Sequence, residues 1–299
     1  HFNPAFNKSI TKSTLDKLKI LKIEPESIFP YSSYISKDID IKKFSLSFLQ
    51  QPDLFLRIRP GKKYQVIKKL EDSTIDFKAE KDWIRLGNSE KIDTLISLNK
   101  EAVVQDINSQ KVFNFFEKFE SKKEFNVWDC CAASGGKSIL LYDRLKGKIK
   151  ITASDVRTSI LENLKIRFHK AGINIKKLFV ANLLKPFSIE DKFDIIICDA
   201  PCTGSGTWAR TPEQLYLFKK ESIADYTQLQ RKIIDNSMPA LKPGGYFCYI
   251  TCSVFADENE EIVKYISGKY EVENVTNNYL KGYESKADTL FVSIFKSAS

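Results

Sequence analysis

Histidine is almost absent from this 299-residue chain, with His1 and His169 alone, and none of its six cysteines is paired at CxxC spacing. A structural zinc site is therefore not expected, and the expected metal content is none. No apolar run approaches the ~20 residues that cross a bilayer, so a membrane partner is not expected either. Both common phosphate-loop patterns, GxxxxGK(S/T) and GxGxxG, are missing. There is no internal repeat and no low-complexity tract. The opening His1-Phe2-Asn3-Pro4 resembles neither a signal peptide nor a native initiator, which reads as a trimmed piece of a cytoplasmic protein.

What is present is a mild basic excess, 47 Lys+Arg against 38 Asp+Glu for a formal +9, spread over both halves of the chain. It favours a polyanionic partner without singling one out. The length suits one or two domains, expected as a monomer. From about Phe125 short apolar runs alternate with amphipathic stretches, the pattern of a parallel sheet covered by helices. FNVWDC, IKITASD, KKLFVAN, FDIIICDA and GYFCYITC read as successive strands. GKSILLYDRLKG, TSILENLKIRFHKAG and SIADYTQLQRKIIDNSMPALKPGG read as the crossover helices between them. Asp257 with Glu260 is expected to form a capping box, and DTLFVSIFK to be a last strand at the sheet edge. Upstream, LFLRIRP, KKYQVIKKL and IDFKAEKDWIRL predict a small α+β module, and Asp106 to Phe119 a helix joining the two parts.

The strand FNVWDC runs into CAASGGK and then a helix, so Gly135 and Gly136 let the backbone turn tightly against a ligand at a helix N-terminus. Asp155 ends the second strand, where a carboxylate can accept from both hydroxyls of a ribose or else cap the next helix. Asn182, ending the third, is either an acceptor for an adenine amine or a turn residue. Lys137 either faces the cofactor, anchors a substrate phosphate or is simply solvated.

Two cysteines differ from the rest in position. Cys130, Cys131, Cys198 and Cys248 read as small buried hydrophobes. Cys202 follows the fourth strand in DAPCTGSG and Cys252 follows the fifth in TCS, each where a strand stops and a Pro-, Gly-, Ser- or Thr-rich loop begins. Ligands of an open α/β sheet bind outside the carboxyl ends of the strands, so both thiols should flank one crevice beside Asp199. Methylation at C5 of a pyrimidine is one chemistry that demands such a positioned thiolate, because adding sulfur at C6 makes C5 nucleophilic.

At these residues the sequence resembles the RsmB / NOL1-NOP2-sun family of RNA cytosine-C5 methyltransferases, over roughly Leu54 to Lys296. VVQDINSQ, CAASGGKS, DAPCTGSG and LKPGGYFCYITCSVFADENE resemble the family's VQDxxSQ, CAAPGGKT, DAPCSGxG and LKPGGxLVYSTCSxxxxENE, in the same order. The resemblance implies a class I methyltransferase Rossmann-like α/β fold, a seven-stranded sheet with helices on both faces. A small α+β RNA-recognition-like domain would precede it, with segments at 1–50, 51–120 and 121–299. It implies that Cys252 attacks C6, that Cys202 assists release, and that S-adenosyl-L-methionine lies against Cys131, Ala132, Ala133, Ser134, Gly135, Gly136, Lys137, Asp155, Asn182 and Asp199. Arg57, Arg59, Lys62 and Lys63 become candidate phosphate contacts, beside the alternative of a solvated face; Arg210 and Lys137 could also hold RNA.

Two positions depart from the family pattern: Ser134 stands where it has proline, and Asn182 where it has aspartate. The RNA is expected to be ribosomal rather than transfer RNA, by family habit. Neither a long helical N-terminal extension nor a C-terminal RNA-binding appendage fits in this length. Three rivals remain in view. A catalytically silent RNA-binding or assembly factor would not need Cys252, Cys202 and Asp199. An amino-nitrogen methyltransferase commonly carries Asp/Asn-Pro-Pro-aromatic where this chain has Asp-Ala-Pro-Cys. A DNA cytosine enzyme places its nucleophile in the PC motif.

Overall fold

The computed structural model describes residues 11–119 and 124–298, so the opening residues read above lie outside the described part. Two sheets organise the chain. Strands β1 (Leu54–Ile58), β2 (Phe77–Glu80), β3 (Trp83–Leu86) and β4 (Ala102–Val104) form an antiparallel sheet in the order β2-β3-β1-β4. With the helix Lys63–Glu71 crossing between β1 and β2, that order is a split βαβ arrangement.

The larger sheet has seven strands in the order β10-β11-β9-β8-β5-β6-β7. These are β5 (Phe125–Asp129), β6 (Ile149–Asp155), β7 (Ile175–Val180), β8 (Phe193–Asp199), β9 (Leu241–Thr251), β10 (Val272–Leu280) and β11 (Leu290–Ser297). β5 to β9 are mutually parallel, and β11 and β10 complete the sheet antiparallel. The chain leaves β5 in one direction through β6 and β7, then returns to its other side with β8 and β9. The reversal opens a crevice beyond the tips of β5 and β8.

Strand β8 shows why the sequence yields this sheet: six of its seven residues are buried, and five of those six, Phe193, Ile195, Ile196, Ile197 and Cys198, are apolar, a near-continuous run rather than alternation. Alternate residues feed opposite faces. Ile195 and Ile197 pack with Val127, Ile139, Leu164 and Phe168 on one side; Ile196 and Cys198 pack with Trp128, Ile233, Phe247 and Ile262 on the other. The helix Thr158–Ala171 stops at Gly172, whose left-handed φ of 68° lets Ile173 N–H return to the Phe168 carbonyl at 2.9 Å.

Three expectations from sequence are corrected. Residues 106–119 form turns and a short 3-10 helix, Asn114–Lys118, rather than an α-helix. The amide of Asn108 donates to the carbonyls of Leu280 and Asp288, and that of Gln110 to the Gln105 carbonyl, so tertiary partners outbid the helical pattern. The strand Leu290–Ser297 is not the edge, because β10 pairs outside it. Asp257 does not cap the last helix, Glu260–Lys269, whose N-cap is Asn259.

Residues 1–50 are expected as a helical or irregular segment, and the described part of it forms short helices and turns. Phe29, Ile39, Phe44 and Phe48 pack there against Trp208, Ile223, Val254 and Phe255. They buttress from behind both loops that carry the singled-out cysteines.

Candidate functional site

Four carboxyl ends of strands meet over the crevice: Asp129 closes β5, Asp155 closes β6, Asp199 closes β8 and Thr251 closes β9. The loop after β5 is pinned from beneath, Ala132 N–H donating to the Ser154 carbonyl and Ala133 N–H to Asp155 Oδ2 at 3.0 Å. Ala133 and Gly135 both take left-handed backbone, φ 44° and 78°. At Gly135 a Cβ would also lie 2.5 Å from the Phe168 ring, so conformation and space exclude every other residue. At Gly136 nothing approaches within 4 Å, leaving the start of helix Gly136–Arg144 open toward the crevice.

The two acids beside that loop differ in charge state. Asp155 is buried, yet hydrogen bonds from the Arg157 side chain and backbone and from Ala133 outweigh the burial and hold its carboxyl below the ordinary range. Each oxygen accepts twice, which fills the about four lone-pair positions of a carboxylate, but two of the four donors belong to the exposed Arg157 side chain, which is free to turn away for a ligand. Asp129 is pushed up to about 7, chiefly by burial and further by Asp199 and Asp155, against the opposing Ser138 and Lys137. Its Oδ2 accepts from Ser138 Oγ at 2.6 Å, while its buried Oδ1 has no partner. An orphaned buried acceptor under an open glycine loop fits a ligand that carries donors.

The sulfurs of Cys202 and Cys252 lie 3.4 Å apart, both half-buried. Their contact, followed by burial, pushes the Cys202 thiol up, so Cys202 keeps its proton. Lys137 donates to Asp199 Oδ2 at 2.5 Å. Burial opposes the ammonium, but the charge and hydrogen bond of Asp199 hold it above its ordinary value, keeping a positive charge within electrostatic reach of the Cys252 sulfur.

Glu258, fully buried, is what sequence reading missed. It accepts from Thr203 N–H at 2.9 Å, Thr203 Oγ1 at 2.6 Å, Ser253 Oγ and Gln230 Nε2 at 3.0 Å, and so grips the residue after each cysteine. Gly206 N–H donates to the Cys252 carbonyl at 2.8 Å, and a Cβ on Gly206 would stand 2.0 Å from the Thr289 carbonyl oxygen. The two loops are thereby laced into one piece. The available signal was the acid of DENE just past TCS, at a position that a surface helix would expose.

Other expected residues fall elsewhere. Cys130, Cys198 and Cys248 are buried as expected, whereas Cys131 is only half-buried. Asn182 is exposed and its Oδ1 accepts from Leu184 N–H, the turn role. Arg57 and Arg59 are not available to phosphate: Arg57 is buried and the Arg59 side chain only 10% exposed, both against Asp143 at 2.5 and 2.7 Å, and Arg57 also donates to Gln105. In this setting their charge locks the small sheet to helix Gly136–Arg144. Lys62 is half-exposed and Lys63 exposed. Arg210 bridges Asp106 and Asp288. Among the described residues no His, Cys, Asp and Glu group has a metal-holding arrangement, and no helix is long and apolar enough to cross a membrane.

Comparison with known proteins gives a consistent family. The family described as 16S rRNA methyltransferase RsmB/F matches residues 118–291. Ribosomal RNA small subunit methyltransferase B of Vibrio vulnificus is 31% identical over 195 residues, covering 64% of this chain and 45% of its own length. The chain spans about half the length, or less, of the curated relatives it matches first. Among solved structures, PH0851 superposes with a TM-score of 0.82 at 25% identity, over 99% of this chain and 70% of that one. NSun6 from Pyrococcus horikoshii with SFG superposes at 0.76 and 15% identity, over 92% of this chain and 98% of that one, a likeness of fold.

Proposed function

Because the chain belongs to the 16S rRNA methyltransferase RsmB/F family, we propose that it is an S-adenosylmethionine-dependent RNA methyltransferase, acting at C5 of cytosine with Cys252 as its covalent nucleophile. The observation that carries the reading is the sulfur pair: two thiols 3.4 Å apart, one kept protonated, within electrostatic reach of a lysine ammonium and next to an open glycine loop.

The donor would lie against Cys131 to Lys137, with Asp155 accepting from the ribose in place of the Arg157 side chain and Asp129 offering its free oxygen; bound there, it supplies an electrophilic methyl group. The chain's own residues do the rest. The Cys252 thiolate adds to C6, and the electron pair of the C5–C6 double bond becomes available at C5. Asp199, steadied by Lys137, accepts from the exocyclic amine and so orients the ring for addition. Once C5 carries the methyl group, its proton leaves to water, the double bond re-forms and the C6–S bond breaks. The Cys202 thiol donates to the departing sulfur, the contact it already makes in the free protein.

The substrate is proposed to be ribosomal RNA, the class named for the curated relatives. Lys62 and Lys63, at the start of helix Lys63–Glu71, are proposed to meet its backbone. Bisulfite sequencing of RNA from cells with and without the gene tests this: one or a few cytosines protected only when the gene is present are expected. Identical conversion everywhere would overturn the assignment of C5 chemistry.

A further inference from the structure

Arg167 sits on helix Thr158–Ala171, behind the glycine loop, and touches neither thiol. Its Nη1 donates to the Ser134 carbonyl at 2.9 Å and also to Ser134 Oγ. Its Nε donates to Asn99 Oδ1 at 2.9 Å. Asn99 belongs to the small sheet, in the turn before β4, with φ 70°; its N–H reaches the Ala102 carbonyl and its own carbonyl accepts from Arg59. The residue held by Arg167 is flanked by Ala133 and Gly135, both left-handed. A left-handed alanine persists only where its surroundings over-determine it, and Ser134 lacks the ring by which a proline would fix φ itself. The far end of the same loop-helix unit is also held from the small sheet, Asp143 receiving Arg57 and Arg59.

We propose that Arg167 and Asn99 are positioning residues for the cofactor loop: Asn99 aims the Arg167 guanidinium, and Arg167 holds Ser134 in the shape that receives the donor. The loop's geometry is then set across the seam between the two sheets. The inference rests on the reading of this loop as the S-adenosylmethionine site.

Calorimetric titration of the whole chain with S-adenosylmethionine, with far-UV circular dichroism as a check on folding, tests it. Arg167→Ala is expected to raise Kd about tenfold, the loss of a charge-assisted pair of hydrogen bonds. Asn99→Gly, which tolerates the left-handed backbone but removes the acceptor, is expected to raise it about threefold. Asn99→Asp, which keeps the acceptor, should bind as the unsubstituted chain does. In the Arg167→Ala background Asn99→Gly should add nothing, whereas two independent structural losses would add. Unchanged Kd in folded Arg167→Ala and Asn99→Gly, or equal weakening by Asn99→Gly in both backgrounds, would overturn the relay while leaving the site intact. Absence of binding by the unsubstituted chain would overturn the site itself, and the relay with it.

Discussion

The sulfurs of Cys202 and Cys252 stand 3.4 Å apart at neighbouring strand tips, and that contact together with burial pushes the Cys202 thiol up, so Cys202 keeps its proton. A Cys202 that keeps its proton is the poorer nucleophile and the better partner for a leaving sulfur. Cys252→Ala is therefore expected to abolish methyl transfer to RNA. Cys202→Ala should accumulate an RNA adduct that survives denaturing gel electrophoresis. An adduct in the Cys252 variant instead would exchange the two roles.

Glu258 sets that distance by holding Thr203 and Ser253 together, and its replacements should part company. In Glu258→Gln the surrounding hydroxyls can turn to accept from the new amide, so transfer should fall only several-fold. Glu258→Ala strands the Thr203 N–H and the Gln230 amide, at about 1–3 kcal/mol of stability for each unsatisfied group. It should cost on the order of 10²-fold in kcat/KM as the sulfurs lose register. Equal kcat/KM in the two variants would remove Glu258 from this role.

Asp129 predicts a pH dependence of stability. Its carboxyl titrates near 3.8 when unfolded and near 7 when folded, so the folded state binds the extra proton between those values. Stability is then lost as pH rises from 4 to 7, by up to roughly 1.4 kcal/mol per unit, and levels off above. Asp129→Asn keeps an acceptor for Ser138 and removes this slope. Urea denaturation should show the variant gaining on the parent protein from pH 4 to pH 7; a constant gap would refute the shift.

Asp143 carries the seam between the sheets. Asp143→Ala leaves two buried guanidinium groups without a counter-charge and should cost about 3–5 kcal/mol. Replacing all three charged groups with apolar ones should recover much of that loss, measured by the same denaturation midpoints.

Much of the large sheet was legible because burial leaves a period in the sequence. The run Phe193–Asp199 could be little else, and the tips of β8 and β9 followed from it, which is how Cys202, Cys252 and Asp199 were found together. Strand Val272–Leu280 was not legible: at the edge, with most of its residues at least partly exposed, VENVTNNYL shows no alternation. Arg57 and Arg59 misled for another reason. A guanidinium destined for phosphate and one destined for a buried aspartate look identical until the partner's place in space is known. Glu258 was hidden in the same way, since an acid at a helix start is ordinarily a solvated one.

The arginine pair at the seam limits how this molecule can be recombined. A chimera that kept the catalytic sheet but borrowed its small sheet from another protein would bury Asp143 with nothing to neutralise it. It would also leave Arg167 without the asparagine that aims it. Any graft must carry both arginines and that asparagine along, so the two halves are inherited as a unit even though each has its own core.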